Sequence, residues 1–142
     1  MRILIDMDGV LADFVGEANR RNLEFDKAEL LKGFYRDLPL IQDAHWAVNE
    51  LYNLGHDLYI CTTAPWGNPE AWKEKREWVE EHFKQVFYKR IIMTHHKNLI
   101  EADILIDDRK GASTLNFKGN WIWFGQNGMN WKEIVIYVQN LV

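Results

Sequence analysis

The chain predicts an α/β fold of three layers, α/β/α, with a parallel central sheet and one small helical insertion. Three observations carry that prediction. Short β-type runs alternate with helical stretches along most of the chain, the order expected of a parallel sheet with crossover helices. Strands such as Ala102-Asp103-Ile104-Leu105-Ile106 are nearly continuous in apolar residues, as in a sheet covered on both faces. The length of 142 residues suits one domain, large enough to bury roughly 68% of its unfolded surface.

The elements follow in order. Ile3 to Asp6 is the first strand, an apolar tripeptide running into an acid. Leu11 to Asn22 is predicted helical, but between Asp13 and about Leu40 no strand appears, so residues from approximately 14 to 40 are expected to form a small helical cap. Asp43 to Leu54 is a helix and Leu58 to Thr62 the second strand. Asn68-Pro69-Glu70 opens the next helix, to Phe83: Asn is a favoured N-cap, Pro fits the first helical position, and an acid sits beside the positive end of the dipole. Arg90 to Met93 is the third strand, Lys97 to Glu101 a short helical piece, Ile104 to Asp107 the fourth strand, Trp121 to Phe124 the fifth, and Trp131 to Leu141 the last helix. The tail aromatics Trp121, Trp123 and Trp131 are expected in the core.

Composition excludes several classes of function. Hydrophobic residues make up 47% and aromatics 13%, with seven Trp, so the chain folds rather than remaining disordered. Its net charge of −4 supplies no overall positive field for polymeric nucleic acid or anionic lipid. The apolar run before Asp6 is too short for a signal peptide, and no stretch approaches the roughly 20 residues of a membrane span. A cytoplasmic protein is expected. The single cysteine, Cys61, lies in an apolar run and reads as an inert buried thiol.

Chemistry gathers where strands end. Ligands of doubly wound sheets bind beyond the carboxyl ends of the strands, and there the chain places Asp6 and Asp8, then Thr62 and Thr63, then Asp107 and Asp108. Beyond a strand's last ladder bond the chain can curl so that Asp6 and Asp8 converge, and carboxylates so gathered attract a hard cation such as Mg²⁺. Asp6-Met7-Asp8-Gly9 alone also fits a solvated turn. Thr62 and Thr63 offer donors to a phosphate, and Lys97, just after the third strand, could neutralise a phosphoryl oxygen and keep the carboxylates from repelling it. Each residue alone is weak evidence; the four motifs in order, each closing an apolar strand, are specific. Lys75 falls on the helix stripe with Trp72 and Val79 that should face the sheet, where it could reach phosphate or snorkel to solvent. His95 and His96 flank Lys97, but adjacent residues of a strand cannot both face one ion, so both are left outside the site.

That ordered set resembles the four motifs of the haloacid dehalogenase superfamily of phosphohydrolases. Asp6-Met7-Asp8-Gly9-Val10-Leu11-Ala12-Asp13-Phe14 is similar to the first motif of one branch, the 5'(3')-deoxyribonucleotidases. Ile60 to Pro65, Glu74 to Glu80, and Lys97 with Ala102 to Arg109 resemble the same branch. The likeness covers most of residues 1 to 110. It departs at Thr63-Ala64, where related chains often carry Ser-Pro, in an abbreviated cap, and in the Trp-rich tail.

The resemblance implies a Rossmann-like sheet and a Mg²⁺-dependent hydrolase acting on deoxyribonucleoside 5'- or 3'-monophosphates. In that reading Asp6 attacks phosphorus to give a phospho-aspartate, and Asp8 acts as general acid, then base. Magnesium takes an Asp6 oxygen, the backbone carbonyl of Asp8 and an Asp107 oxygen, while Asp108 orients a metal-bound water. Thr62, Thr63, Lys97 and Lys75 bind the phosphoryl group. Phe14, Phe34 and Tyr35 are expected around the base, and Trp66 is a further candidate wall. A small nucleotide is the expected partner, with a homodimer left open. A phosphatase for sugar phosphates or other small phosphomonoesters is the alternative. Two other classes compete: a signalling receiver, opposed by the DxD spacing that supplies a hydrolytic base, and a Trp-based single-strand binder, opposed by the net charge.

Overall fold

The computed structural model describes residues 1–141 and is organised by a five-stranded parallel sheet in the order β3-β2-β1-β4-β5. Its strands are β1 (Arg2–Ile5), β2 (Asp57–Thr62), β3 (Ile91–Met93), β4 (Ile104–Asp107) and β5 (Asn120–Trp123). Strand order reverses direction at β1, which pairs β2 on one side and β4 on the other. This places the ends of β1, β2 and β4 side by side, at the crevice where ligands of such sheets bind.

Among the described residues six α-helices accompany the strands: α1 (Phe14–Arg20), α2 (Phe25–Ala28), α3 (Ala44–Asn53), α4 (Pro69–Phe83), α5 (Ala112–Leu115) and α6 (Trp131–Asn140). The three layers are unequal. Ile3, Ile5, Leu58, Ile60, Ile104 and Ile106 pack in one core with residues of α3, α4 and α6. On the opposite face Leu4, Cys61 and Leu105 are covered by Phe117 and the partly buried Tyr59, Ile92, Ile100, Ala102 and Trp121. Burial pushes the Cys61 thiol up to about 12, consistent with an unreactive sulfur. No helix among the described residues is long and apolar enough to cross a membrane.

Local physics moved several predicted boundaries. The first helix starts at Phe14 rather than Leu11, because Met7 to Ala12 wind into a tight turn in which Leu11 and Ala12 both donate to the Met7 carbonyl at 2.8 Å. Asp13 then caps the helix by accepting from the Gly16 N–H at 2.9 Å. The expected helix Lys97 to Glu101 is a single 3₁₀ turn, Lys97–Leu99. The short α5 had no periodic signal. Asn68 occupies the N-cap position of α4 but makes no capping bond; its side-chain amide donates to the Glu29 carbonyl at 3.0 Å instead. Trp131 is core as expected, whereas Trp121 and Trp123 are only half-buried and stack on each other with ring centroids 5.1 Å apart.

Between β1 and α3 the chain makes an excursion that returns to its own starting point. The Asp13 N–H donates to the Pro39 carbonyl, and the Ile41 N–H to the Leu11 carbonyl, both at 2.8 Å. The excursion carries α1 and α2, and α4 fastens it along its length. Glu74 accepts from the N–H groups of Gly33 at 2.8 Å and Tyr35 at 3.2 Å, and the Trp78 indole donates to the Leu38 carbonyl at 2.7 Å.

Candidate active site

Asp6 follows directly on β1, and Asp107 closes β4, so the sheet register itself brings the two acids together. The Asp6 N–H continues the ladder one residue past the strand by donating to the Ile106 carbonyl at 2.9 Å. Asp6, Asp107 and Asp108 each offer a carboxylate oxygen, all within 4.8 Å of one another. Lys97 joins two of them: its Nζ lies 2.9 Å from Asp6 Oδ1 and 2.7 Å from Asp107 Oδ2, with all three side chains buried.

Three carboxylates facing one ammonium leave a surplus of negative charge. Burial, and then repulsion from Asp6, push the Asp107 carboxyl above its ordinary range, with Lys97 opposing. The same two causes, with Asp107 added, push Asp108 up to about 7. For Lys97 burial works against the charge, but the two carboxylates outweigh it and its pKa is raised. Asp108 Oδ1 is buried without a hydrogen-bond partner among the described residues. An all-oxygen cluster with an unmet acceptor fits a hard divalent cation, which would relieve the repulsion that raises both pKa values.

Asp8 belongs to a second arrangement. Its carboxylate lies outside the three-acid cluster and binds Lys75, whose Nζ is 2.6 Å from Asp8 Oδ2 and 3.0 Å from Thr62 Oγ1. Lys75 is fully buried, so it does not snorkel. The Asp8 side chain keeps 26% of its surface exposed. Its surroundings nonetheless raise its pKa through burial, with the Lys75 charge pulling the other way. A carboxyl so balanced can give up a proton and take one back, as acid–base chemistry requires. Directly after Asp8, Gly9 turns the chain at φ +80°, and a Cβ there would fall 2.1 Å from Asp108 Oδ2. Glycine is therefore required twice at this position, by backbone conformation and by space.

A cleft of about 500 Å³ is lined by Asp6, Asp8, Lys97 and Asp108, by Phe14, Phe25 and Tyr35, and by the acids Asp26 and Glu29, while Thr62, Lys75 and Asp107 lie outside the lining. Thr63 also lines it, but its hydroxyl donates to the Thr94 carbonyl at 2.8 Å. The Phe14 and Tyr35 rings lie 5.7 Å apart at 34°, and Lys75 Nζ sits 4.7 Å from the centre of the Tyr35 ring. Phe34, expected at the base, is fully buried and packs edge-on behind Phe14 at 5.1 Å, outside the cleft lining. Trp66 is 82% exposed and makes an edge contact with His95; it too is absent from the lining.

Sequence reasoning missed Phe25, Glu29 and Arg109, all of which line the cleft. Arg109 directly follows Asp107-Asp108 and could have been found from that position. Phe25 carried no signal, because its place depends on how the excursion folds back.

The model of the family described as "5' nucleotidase, deoxy (Pyrimidine), cytosolic type C protein" matches residues 27–134. A Vibrio phage KVP40 protein provisionally named 5'(3')-deoxyribonucleotidase is 38% identical over 144 residues, covering 96% of this chain and 83% of its own. The mouse mitochondrial 5'(3')-deoxyribonucleotidase is 33% identical, covering 85% of this chain and 70% of its own. The human cytosolic-type 5'(3')-deoxyribonucleotidase is 32% identical, covering 77% and 71%.

Proposed function

Because this chain belongs to the 5'(3')-deoxyribonucleotidase family of the haloacid dehalogenase superfamily, we propose that it is a cytoplasmic phosphohydrolase that removes the phosphate from deoxyribonucleoside monophosphates. The observation that carries this reading is the pairing of each acid of the DxD motif with a lysine, beside a cleft that Phe14, Phe25 and Tyr35 also line. Phosphate fits beside Asp6 and Asp8, and a flat base fits the wall of Phe14, Phe25 and Tyr35. Residues 14–40 serve as the cap that carries this wall.

Asp6 is the nucleophile: a carboxylate oxygen attacks phosphorus, the bond from phosphorus to the nucleoside oxygen breaks, and Asp8 delivers its proton to that oxygen. In the second half Asp8 takes a proton from water as the water attacks phosphorus, which releases phosphate and restores Asp6. Thr62 and Lys75 bind the phosphoryl oxygens, with Thr63 beside them, and Lys75 keeps the Asp8 carboxyl aimed at the cleft. Lys97 offsets the negative charges of both Asp6 and Asp107. Asp6, Asp107 and Asp108 would hold Mg²⁺ together with the Asp8 carbonyl. When bound, the ion supplies positive charge that offsets the phosphate's own.

The test is magnesium-dependent phosphate release across deoxy- and ribonucleoside monophosphates and sugar phosphates. Deoxynucleotides should rank first. Equal or better turnover of sugar phosphates would replace the nucleotidase reading with that of a general small-phosphomonoester phosphatase. Asp6→Asn should show no burst of phosphate, and normal turnover by that variant would overturn the mechanism.

A further inference from the structure

We propose that Trp123, supported by Trp121, is a positioning residue that aims the acids of β4 at the cation site; this rests on the cation reading given above. Each of these tryptophans uses its only side-chain donor on the backbone of an acid. The Trp123 Nε1–H donates to the Asp108 carbonyl and the Trp121 Nε1–H to the Asp107 carbonyl, both at 3.1 Å.

The two bonds are not equivalent. The Asp107 carbonyl also accepts from the Phe124 N–H at 3.1 Å, the last rung of the ladder between β4 and β5. Asp108 lies one residue past the strand, and among the described residues no other hydrogen bond reaches its carbonyl. The indole of Trp123 therefore takes the place of a ladder bond where the ladder has ended. Holding the carbonyls of both Asp107 and Asp108 fixes the peptide planes on either side of the Asp108 Cα, and with them the direction in which its side chain leaves. That side chain needs such control. Its Oδ2 lies against Gly9, where even a methyl group would overlap it, and its Oδ1 is buried without a partner.

The stacking of the two indoles, 5.1 Å apart and tilted by 26°, keeps both donors in register. Both side chains are half-buried; Trp121 also packs on the core face of Leu4, Cys61 and Leu105, whereas Trp123 belongs to neither core cluster. A group that orients a metal ligand without touching the metal typically contributes about tenfold in metal affinity.

The experiment is a Mn²⁺ titration of the intact, substrate-free chain, followed by loss of the free-ion EPR signal, with the melting temperature of the ion-free protein measured alongside. Trp123→Phe keeps an aromatic ring and removes the N–H; it should weaken Mn²⁺ binding roughly tenfold. Trp121→Phe should weaken it far less, because the Phe124 N–H still holds the Asp107 carbonyl. Trp123→benzothienylalanine, which exchanges the N–H for sulfur within the same bicyclic shape, tests the donor alone should the Phe variant fold poorly. It should match Trp123→Phe in affinity and the wild type in melting temperature. Unchanged Mn²⁺ affinity in that variant, or equal losses at positions 121 and 123, would overturn the inference. Absence of Mn²⁺ uptake by the wild-type chain would instead overturn the cation reading, and this inference with it.

Discussion

Lys75 Nζ and Asp8 Oδ2 lie 2.6 Å apart although 67 residues separate them in the chain. The contact joins α4 to the turn after β1, and the same ammonium reaches Thr62 at the end of β2. Lys75→Met keeps the buried bulk and removes the charge. Steady-state kinetics should then show a fall in kcat of about 10²–10³, the range for losing one preorganised group that stabilises developing charge.

Gly9→Ala brings a methyl group against Asp108 in a backbone conformation that L-residues rarely adopt. Denaturant unfolding should show a loss of about 1–3 kcal/mol. The half-saturating Mg²⁺ concentration for activity should rise as Asp108 is displaced.

Glu74→Gln tests how the excursion is fastened. The carboxylate receives two backbone N–H groups, from Gly33 and Tyr35. An amide leaves one of those donors facing another N–H, at a cost of about 1–3 kcal/mol. Tyr35 should then lose its place, raising KM for nucleotides while leaving turnover of a small aryl phosphate, which has no base to hold, largely unchanged.

His82 packs on Trp78 with ring centroids 4.5 Å apart. Burial lowers its pKa below the ordinary 6.5, with Glu81 opposing and Arg36 and His45 reinforcing the shift. The fold thus favours the neutral ring, and as pH falls through 6.5 the unfolded chain takes up its proton first. Stability on this account is present at higher pH and is lost on acidification from about pH 7 towards pH 5. The melting temperature should decline over that interval, and His82→Asn should make the decline shallower.

Much of this was legible in the chain because strand ends are marked by chemistry. Asp6, Thr62 and Asp107 each close an apolar run, and a parallel sheet whose order reverses at β1 has to gather such ends. Lys75 could be placed on an inward stripe from helical spacing, but its choice between solvent and site depended on a partner that spacing does not name. Phe34, expected at the base, lies behind the wall, and Phe25, for which nothing was expected, lies in it. Their positions follow from how residues 14–40 fold against α4, through Glu74 and Trp78, and no local periodicity records that. An indole N–H aimed at a carbonyl leaves no trace in hydrophobicity, so the sequence places Trp121 and Trp123 in the core with Trp131.

The excursion's departure at Asp13 and return at Pro39 are hydrogen-bonded to each other. Glu74 and Trp78 of α4 fasten what lies between, so a replacement segment has to meet both the stem and α4 to leave the turn that carries Asp6 and Asp8 undisturbed. On the proposed function, grafting a relative's intervening segment onto this stem, together with its partners on α4, should change nucleotide preference while the acids after β1 and β4 keep their hydrolytic role.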